Sequence, residues 1–330
     1  MGDMHSGDLR CEIELTEAIP STELVEEVLA LGQAAQSADG APPFSDQTAA
    51  ALRTAETTST PPLVATVRSE GELVAAAVVT TGEDAPTVVE LAVHPEHRNQ
   101  GLATALAERL AAEPLATAPG TVLRAWAHGN HPGAAALAER FKWAPMRELW
   151  VMRLHDPEAV GSGQLPAGVR LRSFRPGEDE QAWLAANAAA FADHPEQGRI
   201  TLPDLQSRMS EEWFDADGFL LAERVEDGEI LGFHWTKIHP LQPGEAGNHT
   251  RHGEVYVVGV VPSAQGTGLG RSLTAAGIEH LRNRGVDDVI LYVDASNTPA
   301  VRLYEKLGFT VWKADTQYAP IVEPTAEPAG

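Results

Sequence analysis

The feature that most narrows what this chain can fold into is an internal repeat. Glu90-Leu-Ala-Val-His-Pro95 runs into Glu96-His-Arg-Asn-Gln-Gly-Leu-Ala-Thr104, and Val257-Val-Gly-Val-Val-Pro262 runs into Ser263-Ala-Gln-Gly-Thr-Gly-Leu-Gly-Arg271. Aligned on Pro95 and Pro262, each copy reads as a strand, a proline, a polar turn and a Gly-Leu pair opening a helix. Upstream, Glu72 to Thr80 and Glu229 to Trp235 read as strands after the turns Glu70-Gly71 and Asp227-Gly228. Downstream, Leu102 to Ala112 and Leu269 to Arg284 read as helices; Leu269, Leu273, Ala276 and His280 or Leu281 have the spacing of a buried stripe. Short strands Val122 to Ala127 and Val289 to Val293 come next, and Asn130-His-Pro132 and Asn297-Thr-Pro299 begin further helices, with proline at an early helical position. Strand–turn–helix units recur in many α/β proteins, but so many matched elements in one order read as a duplication.

A chain of 330 residues suits two such domains. The expected fold class is α/β, with two tandem domains, each a mixed, mostly antiparallel sheet flanked by helices. The Pro-, Gly- and Ser-rich stretch 156–168 reads as a linker between an N-terminal domain, 1–155, and a C-terminal domain, 169–320; residues 321–330 read as a disordered tail. Nothing approaches the roughly 18 consecutive apolar residues of a spanning helix. Met1 to Arg10 lacks the pattern of an export signal, and the single cysteine, Cys11, excludes an internal disulfide framework. The expectation is a soluble, cytoplasmic monomer with no membrane partner. A formal charge of −23 argues against nucleic acid and favours a cationic small substrate such as an amine, although acidity also serves solubility alone.

Arg98-Asn-Gln-Gly-Leu-Ala103 and Gln265-Gly-Thr-Gly-Leu-Gly270 each follow a strand and open a helix. Such a turn presents unpaired backbone N–H groups at the positive end of the helix dipole, an anion site that works whatever the net charge. A glycine-rich turn by itself is also how a tight connection is made. Neither segment supplies the G-x-G-x-x-G dinucleotide pattern, and no G-x-x-x-x-G-K-[ST] loop is present.

The pattern [QR]-x-x-G-x-[GA] after a strand, present in both halves, resembles the pyrophosphate-gripping motif of the GNAT N-acetyltransferases. Asn297-Thr-Pro-Ala-Val-Arg-Leu-Tyr-Glu-Lys-Leu-Gly-Phe309 is similar to that family's C-terminal signature. The resemblance implies acetyl-CoA as co-substrate and no metal. It places the acetyl-CoA contacts at Leu91, Ala92, Val93, Asn99, Gln100, Gly101, Leu102, Ala103 and Thr104 in the first half. In the second half they fall on Val258, Gly259, Val260, Gln265, Gly266, Thr267, Gly268, Leu269, Gly270, Arg271, Asn297, Thr298, Pro299, Ala300, Val301 and Arg302. More narrowly, Gly253 to Val260, Phe233-His-Trp-Thr-Lys237, His194-Pro-Glu-Gln197 and Asp315-Thr-Gln-Tyr318 resemble the tandem branch of the family that forms mycothiol. That branch acetylates the cysteinyl amine of desacetylmycothiol, and the likeness implies substrate contacts at Asp46, Glu196, Lys237, Glu254 and Tyr292.

Moving an acetyl group from a thioester to an amine requires a base for the amine proton, donors for the developing oxyanion and an acid for the departing thiolate. Glu254, at the start of the strand leading to the loop, is the candidate base, and Tyr304, seven residues after Asn297, the candidate acid. A backbone N–H of Val258-Gly259-Val260 is the candidate donor, with Gly259 permitting an irregularity that frees it from ladder pairing. The first half keeps the loop but has Thr87 for Glu254 and Leu137 or Ala138 for Tyr304, so it is expected to bind CoA or scaffold the fold with little turnover. The long segment Ile238 to Gly253 is rich in Pro, Gly and His; if it exceeds the family's norm, the resemblance implies a different lid over the substrate pocket. His128 and His131, or His249 and His252, read as loop histidines with no carboxylate nearby in sequence to complete a metal site. Cys11 has no sequence context for a nucleophile. The remaining alternatives are a tandem acetyltransferase for another amine or a protein N-terminus, and an acyl-CoA-binding regulator without turnover.

Overall fold

The computed structural model of the chain describes residues 13–16, 19–82, 85–113, 121–161, 163–192, 195–240, 242–243 and 249–321. They divide into two compact units, one holding the described residues up to Leu149 together with those from Lys313 onward, the other Trp150–Trp312. Residues 313–320 therefore join the first unit, and 150–168 the second. The stretch read as a linker is packed: Val160 lies in a core cluster, and Ser272 Oγ donates to Gln164 O at 2.6 Å. Cys11, the tail from 322 on and, in the 238–253 segment, 241 and 244–248 fall outside the described residues.

The first unit runs β1 (Ile13–Leu15), α1 (Thr22–Asp39), α2 (Asp46–Arg53), β2 (Leu63–Ser69), β3 (Glu72–Gly82), β4 (Ala85–Val93), α3 (Leu102–Ala111), β5 (Leu123–Ala127), α4 (Pro132–Arg140) and β6 (Trp143–Leu154), whose last residues belong to the second unit. Strands β1 to β5 lie in chain order, antiparallel except for the parallel pair β4–β5. β3 is buried on both faces, which accounts for its continuous apolar run. Ala76 and Val78 face α1 with Val25, Val28 and Leu31, while Ala75, Ala77 and Val79 face α3 with Leu102, Leu106 and Leu110. Helix α1 is closed at its start by the Ser21 side chain on Leu24 N and at its end by Gly40, at φ 72°.

The second unit runs β7 (Val169–Ser173), α5 (Glu180–Ala190), α6 (Pro195–Gly198), α7 (Leu202–Met209), β8 (Phe219–Arg224), β9 (Ile230–Ile238), the short pair β10 (Gln242–Pro243) and β11 (His249–Thr250), β12 (His252–Val260), α8 (Leu269–Asn283), β13 (Asp288–Asp294) and α9 (Thr298–Lys306). The last strand, β14 (Thr310–Pro320), pairs antiparallel with β5 over Thr316–Tyr318 in the first unit. Strands β7, β8, β9, β12 and β13 are neighbours in that order, antiparallel until the parallel pair β12–β13. The duplication read from sequence is thus a duplication of sheet topology. Alternation along β9 sends His234 and Thr236 toward α8 and Phe233, Trp235 and Lys237 toward α5. On the α5 side Trp183 meets Phe219, Phe233 and Trp235 edge-on at centroid separations of 5.4, 5.4 and 5.9 Å. Such pairs add about 0.5–1.5 kcal/mol each beyond their buried area. Among the described residues no helix is long and apolar enough to cross a membrane.

Candidate active site

In the second unit β12 pairs with β13 only over His252–Val255, while its pairing with β9 continues to Val260. From Tyr256 onward the edge of β12 away from β9 has no strand partner among the described residues, and its backbone groups are open to a ligand. The chain then enters the glycine turn. Gly266 and Gly268 take the left-handed conformation, at φ 76° and 87°, and a Cβ on either would point into open space. Gly268 is the N-cap of α8 and no side chain caps that helix, which leaves the N–H groups of its first turn available. The first residue of the motif anchors the turn. Gln265 Nε2 donates to Val260 O at 3.2 Å, and Arg98 Nε donates to the equivalent Val93 O at 3.2 Å. Each copy thereby ties its turn back onto the end of its strand and frees the loop amides. A Cβ built on Gly270 would lie 3.6 Å from Val260 and 3.9 Å from Leu303, so β12, α8 and α9 converge at the cradle. At the start of α9, Asn297 caps Ala300 N. An uncapped, glycine-lined helix start beside a free strand edge fits the pyrophosphate and pantetheine parts of a CoA thioester.

The strand carries its irregularity at Tyr256, where the register with β9 shifts between Val255 and Val257. Gly259, expected to supply that irregularity, is regular. Its missing Cβ instead admits Phe233 and Ala190, which would lie 2.6 and 3.1 Å away. Glu254 pairs with Lys237 across the ladder and so shares the α5 face with Lys237 and, by alternation, His239. Its carboxylate is 8 % exposed, and Oε2 accepts a hydrogen bond from His239 Nε2 at 2.7 Å. Lys237 Nζ stands 5.0 Å over the Trp213 ring and 5.6 Å from that of Tyr256, whose hydroxyl accepts from Arg208 Nε at 3.1 Å. Tyr292, half-exposed on β13, alternates with Ile290, the partner of Glu254, onto the same face. Glu196 lies on α6, and its side chain is outside the described residues; the neighbouring Gln197 O accepts from Asn187 Nδ2 at 2.7 Å. Asp46 is exposed at the start of α2 in the first unit. Sequence reasoning missed His239, Tyr256, Trp213 and Arg208. Only His239 left a signal, two residues beyond Lys237 on an alternating strand.

Tyr304 is 7 % exposed on α9, in one apolar cluster with Val255, Val301 and, at its margin, Val258 and Leu303. Burial pushes its phenol up to about 12. It therefore keeps its proton at neutral pH, as an acid must.

In the first unit the cradle recurs without a counterpart of Glu254 or Tyr304. Gly101, at φ 83°, is the N-cap of α3 and no side chain caps that helix either. Leu91, Ala92, Val93, Asn99 and Gly101 to Thr104 line one cavity of about 1180 Å³, and Leu137 and Ala138 line it where Tyr304 has its sequence equivalent. Thr87 is buried, and β4 runs against β3 in unbroken register from Val88 to Val93, its one shift falling between Val88 and Ala85. His128, read as a loop histidine, is instead enclosed by two carboxylates distant in sequence: Nε2 donates to Glu90 Oε1 at 2.7 Å and Nδ1 to Asp315 Oδ2 at 2.9 Å. Burial pulls its pKa down, but the hydrogen bonds to Asp315 and Glu90 outweigh that and raise it to about 9. The second oxygen of Glu90 accepts from Ser45 N at 2.9 Å and that of Asp315 from Gly129 N at 2.9 Å, so the cluster is saturated.

The Acetyltransferase (GNAT) family pattern matches residues 31–143 and again 183–309. The mycothiol acetyltransferase of Paenarthrobacter aurescens is 50 % identical over 312 residues, covering 92 % of this chain and 94 % of that protein. That of Salinispora arenicola is 51 % identical over 297 residues, covering 89 % and 92 %. Among solved structures, a GCN5-related N-acetyltransferase from Sphaerobacter thermophilus is 27 % identical with a TM-score of 0.66, covering 93 % of this chain and 94 % of that one. A tandem GNAT protein from the clavulanic acid biosynthesis pathway, at 22 % identity and a TM-score of 0.66, covers 93 % and 98 % and shares the fold. With two matching repeats, two matching sheets and relatives at half identity over nearly its whole length, this chain belongs to the GNAT family of acetyltransferases.

Proposed function

We propose that this chain transfers an acetyl group from acetyl-CoA to the cysteinyl amine of desacetylmycothiol, and that the second unit performs the transfer. The substrate follows from relatives that are themselves named mycothiol acetyltransferases at about 50 % identity. One observation carries the assignment of the working unit: a free strand edge leads from a buried carboxylate, Glu254, to an uncapped glycine turn, with a buried, protonated phenol on the adjoining helix.

Bound acetyl-CoA supplies an activated acetyl thioester. Amides of Gly266 to Gly270 hold its pyrophosphate, and the open edge of β12 at Val258 to Val260 offers N–H donors to the acyl oxygen. Glu254 takes the ammonium proton at Oε1, the oxygen that His239 leaves free, and Tyr304 holds at Oη the proton that the leaving thiolate requires. Lys237, steadied over Trp213 and Tyr256, and Tyr292 on the same face contact substrate hydroxyls, together with Glu196. The first unit, with its own cradle and cavity, binds CoA at Leu91 to Val93 and Asn99 to Thr104 and turns over little. We take the chain to act in the cytoplasm as a monomer, without nucleic acid as a partner; its charge of −23 supports the last point.

The test is an amine panel with purified protein and Glu254→Gln. Acetylation of the cysteinyl pseudodisaccharide well above simple amines is expected, with loss of about 10²-fold or more in Glu254→Gln. Equal use of simple amines overturns the substrate, and wild-type turnover in Glu254→Gln overturns the base.

A further inference from the structure

Four carboxylates of the described residues are hydrogen-bonded to a histidine with a half-buried or buried ring, besides Glu254: Glu90 and Asp315 with His128, Asp288 with His252, and Asp215 with His280. In each of these four the second oxygen, or the same one, has a further partner. Glu90 takes Ser45, Asp315 takes Gly129 N, Asp288 lies 3.9 Å from Arg153, and Asp215 takes Arg284 and Asp217 N. Glu90, Asp315 and Asp215 thus have donors on both oxygens, and the second oxygen of Asp288 faces the Arg153 guanidinium, as carboxylates in structural networks do. Glu254 differs. Oε2 is held by His239, and no described residue donates to Oε1.

From this contrast we infer that His239 is a positioning residue for acetyl transfer, fixing the Glu254 carboxylate so that one oxygen is anchored and the other is presented to the amine; the inference rests on Glu254 being the base. The anchor is rigid. His239 follows directly on β9, and its backbone N donates to His252 O at 2.9 Å, so the imidazole is carried on an extension of the ladder and not on a free loop. A carboxylate oxygen only accepts, so Nε2 carries the proton in this pair. Lys237, the direct cross-strand neighbour of Glu254, cannot replace the anchor, because its ammonium is placed over the rings of Trp213 and Tyr256. Without His239 the side chain of Glu254 would have its rotamers restored and Oε1 would no longer be held toward the substrate. A misplacement of about 1 Å in a reacting group costs on the order of 10²-fold in rate.

The experiment compares wild type, His239→Ala, His239→Gln and Glu254→Gln, measuring kcat and both KM values with acetyl-CoA and the cysteinyl amine substrate. His239→Ala is expected to lower kcat about 10- to 100-fold, with the KM for acetyl-CoA unchanged. His239→Gln, whose amide can donate to the same oxygen, recovers most of the loss, and added imidazole restores His239→Ala in a saturable manner. Combined with Glu254→Gln, His239→Ala causes no further loss. Full kcat in His239→Ala alongside an inactive Glu254→Gln overturns the positioning role while leaving the base intact. A defect in His239→Ala that neither glutamine nor imidazole relieves, with a lowered melting temperature, assigns His239 to stability alone and overturns it equally. Wild-type turnover in Glu254→Gln refutes the base itself, a separate result.

Discussion

Raising the pH from 6.5 to 9.5 should weaken the first unit through a single side chain. His128, 11 % exposed, lies between Glu90, which is 0 % exposed, and Asp315, which is 18 % exposed. Its pKa stands at about 9 against an ordinary 6.5. A histidine whose folded pKa is raised stabilises the fold in full below its unfolded value, and that contribution is lost as pH rises through the folded one. The gap corresponds to ~3 kcal/mol, at the lower end of the roughly 3–5 kcal/mol by which losing one partner of a buried ion pair destabilises. For a unit of this size that is a fall of about 6–12 °C in melting temperature. Calorimetry of the full chain at pH 6.5, 8 and 9.5 reads it, with His128→Gln beside wild type. The variant should melt lower at pH 6.5, and its deficit should shrink as the wild type loses its own imidazolium. Parallel decline of the two proteins across that range would refute the assignment of the charge to His128.

Tyr304→Phe should lower kcat by about 10²-fold or more while leaving the melting temperature and acetyl-CoA binding unchanged, because no described residue hydrogen-bonds its hydroxyl. In the second unit His234 is fully buried, and burial, only partly offset by its hydrogen bond to Leu273 O, pushes it down to about 4. The folded state therefore refuses a proton that the unfolded chain accepts, so stability present above about 6.5 is lost as pH falls toward 4; an acid melt of the second unit that is flat over this window overturns the point. Gly277→Ala places a Cβ 2.0 Å from that same ring and should lower the second transition by about 1–3 kcal/mol or more, which also identifies it in the calorimetric trace. Thr87→Glu, which restores the sequence equivalent of Glu254, should produce no turnover by the first unit, measured in a Glu254→Gln background.

The duplication, the order of its elements and both glycine cradles were legible in the sequence because they are local: a strand, a turn and a helix start are written in consecutive residues. What the sequence hid depends on distance. Asp315 and His128 are far apart in the chain, and nothing near His128 announces a carboxylate, so it reads as a solvated loop residue when it is the centre of a buried triad. The sequence assigns everything from 169 to 320 to the second domain; that residues 313–320 belong with the first unit, where Thr316–Tyr318 pair with β5, is a choice of partner that local pattern does not record. The stretch 156–168 looks like a linker by composition, yet Val160 and Gly163 are packed, the latter so closely that a Cβ would lie 2.6 Å from Ser272 Cα. Gly259 shows the same limit at single-residue scale. A strand glycine signals either a bulge or a close neighbour, and here the neighbour is Phe233.

The bulge at Tyr256 explains why the two copies diverge more deeply than the replaced residues alone suggest. Side chains on a strand alternate faces, so one inserted residue moves everything before it to the opposite face. Beyond the bulge Val257 and Gly259 share the α5 face with Trp235 and Phe233; before it Glu254 returns to that face opposite Lys237. In the first unit the corresponding stretch of β4 is unbroken, pairing Val88 with Thr80, Val89 with Val79 and Glu90 with Val78, and the register shifts only beyond Val88. Thr87 keeps regular step with Val88 and Val89 along β5. Glu90 and Val88 therefore share the α1 face with Val78, and Thr87 falls on the α3 face with Val89 and Leu91. Thr87, which aligns with Glu254 by number, therefore lies on the opposite side of the sheet. On the α1 face that level holds Val88, next to Glu90, which is locked to His128 and Ser45. A unit in this state retains every main-chain donor of its cradle, because those depend on the glycine turn downstream, whereas a carboxylate at position 87 would reach the α1 face only with a bulge between it and the turn.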